Sequence, residues 1–160
     1  MTTPPTPPTT APAVNGRVVA LAHYASRALL EGVLTRHGLT FEQSVALRAL
    51  DAAGGSLGRD ALVAGVVGSL KAPEPAVRAV VDGLAAAGLV EEDPAEASRL
   101  RFTGAGRALA DRTGVEGAEI AARLYAGIRA EDLAAAGRVL ALVARRADAE
   151  LEARATGAEG

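Results

Sequence analysis

Residues 75–103 read PAVRAVVDGLAAAGLVEEDPAEASRLRFT, and the period of the apolar residues changes within this stretch. Val77, Val80, Val81 and Leu84 recur at helical spacing, and Gly88 is placed to stop the helix. Leu89-Val90-Glu91-Glu92 then reads as a short strand and Asp93-Pro94 as a turn. Arg99-Leu100-Arg101-Phe102 alternates polar and apolar residues, the pattern of a returning strand. A helix feeding directly into a hairpin is the unit around which the rest of the chain is arranged.

Upstream, Pro73 and Pro75 suit the first turn of that helix, where a missing N–H donor is harmless. Before them, Ser56 is a candidate cap for a helix carrying Leu57, Ala61, Leu62 and Val66. Thr40 with Gln43 three residues on forms a capping box, opening a short helix through Val45, Leu47 and Leu50 that Gly54-Gly55 ends. A first helix over residues 16–36 carries Val18, Leu21, Ala22, Ala25, Leu29 and Val33, with Gly38 at its C-terminal end. Downstream, Thr103 caps a long helix with Leu109, Ile120, Leu124 and Ile128, and Tyr125 and Phe102 are assigned to the core. After a break near Ala130 a last helix repeats Leu133, Ala136, Leu140, Val143 and Ala147. The fold class expected is therefore mainly α with a small β-hairpin wing: a winged helix-turn-helix core over residues 40–103, and long helices at 16–37 and 104–153. These form a single unit over residues 15–155. The long helices are too apolar on one side for a free monomer, so a homodimer that buries their stripes is expected, although the last stripe could instead pack within the chain.

Composition narrows the functions. With 160 residues the chain is one ordinary domain, and with no cysteine it excludes disulfides, thiolate catalysis and zinc-cysteine sites. Aromatic residues are 2% of the chain, so the core is built from Ala, Leu and Val, which favours close-packed helices. The formal charge of −2 offers no overall basic field. Five of the eight prolines fall before residue 13, and a Thr/Pro-rich arm over residues 1–14 cannot bury enough surface to order itself. No signal peptide or membrane-spanning run is present, so a cytoplasmic protein with no membrane association is expected.

Several of these stretches resemble the multiple-antibiotic-resistance regulator (MarR) family. Gly38 to Gln43, continuing through Leu47-Arg48-Ala49-Leu50, looks like the entry to its second helix. Val77 to Val90 resembles its recognition helix running into the first wing strand, and Phe102 to Leu109 resembles its exit from the wing. Ile128 to Leu133 is similar to the turn before its last helix. The resemblance spans residues 16–153. It implies a transcriptional regulator that binds operator DNA as a homodimer and is released by a small aromatic, often phenolic, ligand.

The residues of the winged-helix stretch depart from that pattern. Between Gly54 and Thr103 the cations are Arg59, Lys71, Arg78, Arg99 and Arg101, against Asp60, Glu74, Asp82, Glu91, Glu92, Asp93 and Glu96. Five positive charges against seven negative make a poor footprint for a phosphate backbone. The DNA-binding candidates are Arg78, Arg99, Lys71 and Arg101. Arg78 is the one residue near the start of the recognition helix able to contact guanine bidentately, or else it is a solvated helix arginine. The family wing carries an Asp-x-Arg pattern whose arginine enters the minor groove. Here the first arginine after Asp93 is Arg99, which either substitutes by position or stands outward on its strand.

For a ligand, His23 and Arg27 are four residues apart on one helix face, and Arg48 lies on the second helix, where the family's pockets sit. Arginine with a neutral histidine can hold a carboxylate or phenolate, although these residues could equally rim a dimer interface. His37 is about 21 Å along the helix from His23, so the two cannot share a metal, and no metal or other cofactor is expected. No catalytic motif is present. The alternative is a MarR-fold protein repurposed as a small-molecule binder or cofactor-independent enzyme, with His23 and Tyr24 as proton-transfer candidates.

Overall fold

The computed structural model describes residues 13–157, so the arm expected over residues 1–14 lies almost wholly outside them. The chain divides into two compact units, Met1–Ile120 and Ala121–Gly160. In the first, helix α1 (Gly16–Arg36) is followed by α2 (Phe41–Ala52), strand β1 (Ser56–Gly58), α3 (Arg59–Leu70) and α4 (Glu74–Ala86). Strands β2 (Val90–Asp93) and β3 (Glu96–Phe102) lead into α5 (Gly104–Tyr125), whose end passes into the second unit, and α6 (Ala130–Gly157) follows.

Local chemistry sets these limits. Thr40 accepts a hydrogen bond from the Gln43 amide at 3.1 Å, and Gln43 Oε1 accepts one from the Thr40 amide at 3.0 Å, so the capping box is complete. At the end of α4, Gly88 takes φ +68°, which lets the Leu89 amide donate back to the Leu84 carbonyl at 3.0 Å. That reversal aims the chain straight into β2. Pro73 is the N-cap of α4, with Pro75 in the first turn, as their missing donors allow. Thr103 Oγ1 accepts from the Gly106 amide at 3.0 Å and starts α5.

Three sequence expectations are corrected. Ser56 does not cap α3; it begins β1, which pairs antiparallel with β3 in the register Ser56 to Arg101 and Gly58 to Arg99. The wing hairpin is therefore two strands of a three-stranded sheet ordered β1-β3-β2. Its central strand places Leu100 in the core and needs a ladder partner on both edges, which residues 56–58 supply. Tyr125 is exposed rather than core. Ile128 lies beyond α5, because Gly127 at φ +76° turns the chain before α6. Phe102 packs against the core as expected.

The core sits where α2, α3 and α4 meet the sheet. Leu50, Val66, Val81 and Leu84 are completely buried, and Leu34 from the end of α1 and Leu109 from α5 close the cluster. Burying each such side chain stabilises the fold by roughly 1.5–3 kcal/mol. The N-terminal half of α1 leaves Val18, Val19 and Leu21 exposed.

Candidate functional site

An open concavity of about 640 Å³ lies where α1, α2 and the end of α3 converge. Phe41, Val45, Ala49 and Leu70 give it an apolar lining, and His23, Arg27, Arg48 and Ser69 its polar groups. The three ligand candidates read from the sequence are thus brought to one cavity, of the size that takes a small organic molecule. Phe41, Val45, Ala49, Ser69 and Leu70 are not among the ligand candidates of the sequence. Val45, Arg48 and Ala49 share one face of α2 at helical spacing, a signal that was available; Ser69 and Leu70 reach the cavity only through the tertiary fold.

The two arginines of this cavity differ electrostatically. Arg27 Nε donates to Glu31 Oε1 at 2.8 Å and Nη2 lies 3.4 Å from Glu42 Oε1, while its guanidinium stacks 4.1 Å from the centre of the Phe41 ring. The hydrogen bond to Glu31 holds the Arg27 pKa above its ordinary value, with the charges of Glu31 and Glu42 adding to it. Its charge is already matched by two carboxylates. Arg48 has no ion pair among the described residues. His23 meets Tyr24 edge-on at 5.5 Å, and Tyr24 stands 66% exposed without lining the cavity.

On the winged-helix face Arg59, Arg78 and Arg101 are paired with carboxylates, as Arg27 is. Arg78 Nε donates to Glu74 Oε1 at 2.8 Å and Nη2 to Asp60 Oδ1 at 3.2 Å. Those hydrogen bonds, from Glu74 first and Asp60 second, raise the Arg78 pKa. Arg59 pairs with Asp82 at 2.7 Å, and both Nε and Nη2 of Arg101 donate to Glu91 Oε1 across the β2–β3 ladder. Arg99 donates to the Ser56 hydroxyl at 3.2 Å and the Ser56 carbonyl at 3.0 Å, so it clamps β1 to β3. Lys71 is the left-handed C-cap of α3 at φ 52°. The DNA candidates are therefore spread over α3, α4 and the wing, and the arginines among them are held by internal partners.

A third charged cluster ties α1 to α5. Glu116 accepts from Arg36 at 2.5 Å and lies 2.6 Å from His37 Nε2. The hydrogen bonds from His37 first and Arg36 second lower the Glu116 pKa. Among the described residues no three His, Cys, Asp or Glu side chains are grouped to hold a metal ion. None of the described helices is long and apolar enough to cross a membrane.

A helix leading into a short antiparallel wing, flanked by long helices, defines a winged-helix protein. No protein-family model matches the sequence, and no curated protein matches it. Solved structures do match. A transcriptional regulator of the MarR family from Silicibacter pomeroyi aligns with TM-score 0.61 and 27% identity, over 79% of this chain and 84% of that one. NadR in complex with 4-hydroxyphenylacetate aligns with TM-score 0.67 and 22% identity, over 83% of this chain and 96% of that one. A mutant MarR from E. coli complexed with operator DNA aligns with TM-score 0.64 and 20% identity, over 80% and 91% of the two chains. The chain has the winged-helix fold of the MarR-family regulators.

Proposed function

We propose that this protein is a cytoplasmic, ligand-responsive transcriptional regulator that binds operator DNA as a homodimer. The observation that carries the reading is the pairing, within one unit, of a winged helix with a cavity that gathers His23, Arg27 and Arg48. Neighbours of the same fold include one bound to operator DNA and one holding 4-hydroxyphenylacetate. A cavity lined by Phe41 and aliphatic side chains, with Arg48 holding no ion pair among the described residues, suits a small aromatic acid or phenolate. Its ring would lie against the apolar lining and its anion against Arg48. Arg27, already neutralised by Glu31 and Glu42, serves instead to hold Phe41 in place.

Dimerisation has its own support. Helix α6 is 28 residues long and has no buried residue, while Leu140, Val143 and Leu151 are each more than 40% exposed. A helix of this kind gains its stability from packing an apolar face against something, and a second copy supplies an identical face. Light scattering at micromolar concentration is expected to give twice 16.1 kDa; a folded monomer overturns the dimer. For DNA, Arg78 on α4 and Arg101 on the wing are the proposed contacts, with Lys71 at the end of α3 and Arg99 supporting them. Fluorescence anisotropy on the protein's own upstream region, across a salt series and with 4-hydroxyphenylacetate as probe, tests the regulator. Binding no better than to a scrambled duplex at low salt overturns it. The exposure of Tyr24 outside the cavity lends no support to a proton-transfer role for His23 and Tyr24.

A further inference from the structure

The arginine best placed to read DNA is not free to do so. Arg78 lies one turn into α4, and its guanidinium is bracketed by Glu74 from the first turn of the same helix and Asp60 from the first turn of α3. Glu74 precedes Arg78 by four residues, the favourable order for a helical ion pair. Each carboxylate also sits at a helix N-terminus, where the helix dipole stabilises negative charge. One positive charge between two negative ones leaves the spot with a net negative charge, which repels a phosphate. The wing repeats the arrangement more simply, with Arg101 on Glu91.

Resting on the DNA-binding reading, we infer that Asp60 and Glu74 form a carboxylate latch that holds Arg78 away from DNA, so that binding requires the guanidinium to exchange carboxylate for phosphate or base. All three side chains are substantially exposed, at 45% for Arg78, 87% for Asp60 and 58% for Glu74, so the pairs are screened by salt and the latch opens readily. Salt then acts twice. It weakens the attraction to phosphate and it weakens the latch, so the two effects oppose each other and flatten the salt dependence. A cation missing from the face would also lower affinity and flatten the salt dependence; the latch differs in that removing its two carboxylates restores both.

The test uses the full chain with a labelled duplex from its own upstream region and a scrambled duplex of equal length. Four proteins are compared with the wild type: the double variant Asp60→Asn with Glu74→Gln, the same pair with Arg78→Ala added, Arg78→Ala alone, and Glu92→Gln. Glu92 is the control because it removes the same charge from the same module and holds no ion pair among the described residues. The latch predicts that the double variant binds both duplexes several-fold tighter. Its log–log salt slope should steepen, because salt no longer weakens a latch that opposed the phosphate contact. Both gains should disappear in the Arg78→Ala background. Equal gains with Arg78 absent, or a gain from Glu92→Gln matching that of the double variant per charge removed, would mean that general acidity alone is at work and overturns the latch. The regulator reading survives that result, because DNA is still bound. If neither the wild type nor any variant binds the upstream duplex better than the scrambled one, the regulator reading falls and the latch falls with it.

Discussion

Helices α2–α4 and the last helix, α6, draw their apolar residues mainly from Ala, Leu and Val and meet opposite fates. Leu50, Val66, Val81 and Leu84 have no solvent exposure, whereas Leu140 is 43% and Val143 48% exposed. Both regions carry apolar residues at helical spacing. What separates them is the number of neighbours the sequence brings within reach. The first region is closed by short loops, a capping box and a sheet, so each apolar face has a partner within the same unit. The second is a long helix after a turn, and nothing within its own unit buries it. Spacing announces a face, and the surroundings decide what covers it.

The largest expected effect lies where the first region is tightest. A Cβ at Gly106 would fall 1.8 Å from the Leu89 carbonyl oxygen, and relief requires moving backbone rather than a flexible side chain. Gly106→Ala should therefore destabilise the fold by about 4 kcal/mol or more, against the 1–3 kcal/mol of ordinary overpacking. Urea unfolding measures it. A variant as stable as the wild type would show that α5 does not pack against the start of the wing as described.

The next prediction can break the comparison itself. Leu50→Ala opens a cavity in a fully buried site and should cost roughly 2–5 kcal/mol. Leu140→Ala on α6 should cost under about 0.5 kcal/mol if its face stays in water. If a second copy covers that face, the loss approaches that of Leu50→Ala and becomes concentration-dependent. Chemical denaturation of the two variants at two protein concentrations distinguishes the cases. A negligible loss at Leu140 at both concentrations overturns the dimer.

The fold was largely legible because its signals are local. Thr40 with Gln43, Gly38, Gly88 and the proline pair each fix a helix end within a few residues. Strand β1 was missed because three residues are too few to show alternation and its partner, β3, lies more than 40 positions away. Tyr125 was misplaced for the reason that separates the two regions: a residue type at the right spacing does not say which way it faces. Sequence spacing brings out His23, Arg27 and Arg48 but not the balance of charge among them. Arg27 to Glu31 and Glu74 to Arg78 are pairs four apart, visible in the sequence, whereas Glu42 and Asp60 join them only in three dimensions.

A smaller effect tests whether the cavity belongs to the first region alone. All its lining residues lie in Met1–Ile120. Arg48→Ala removes the cation proposed to meet the ligand's anion and should weaken 4-hydroxyphenylacetate binding by roughly 1.5–3 kcal/mol. Arg27→Ala should weaken it less, because that charge is already matched by Glu31 and Glu42. Isothermal titration of both variants decides, and the reverse order overturns the assignment of Arg48. A soluble Leu140→Glu variant should keep most of the binding if α2 and its neighbours form the cavity without the dimer.

The smallest expected effect concerns the tie between α1 and α5. Glu116 is held by His37 and Arg36, and their hydrogen bonds place its folded pKa below the ordinary value of 4.5. A carboxylate with a depressed folded pKa contributes stability that is fully present above its unfolded value and is lost as the pH falls through the folded one. At pH 7 the wild type should therefore be slightly more stable than Glu116→Gln. That difference should shrink once the pH drops below 4.5 and vanish when Glu116 is protonated in the folded protein as well. The group is accessible to solvent, so salt should reduce the difference at neutral pH. Urea midpoints of the two proteins, measured across this acidic window at low and high salt, follow the tie directly. A difference that grows on acidification would mean that the Glu116 contacts disfavour its charged form, and would remove this cluster from the interactions that join α5 to α1.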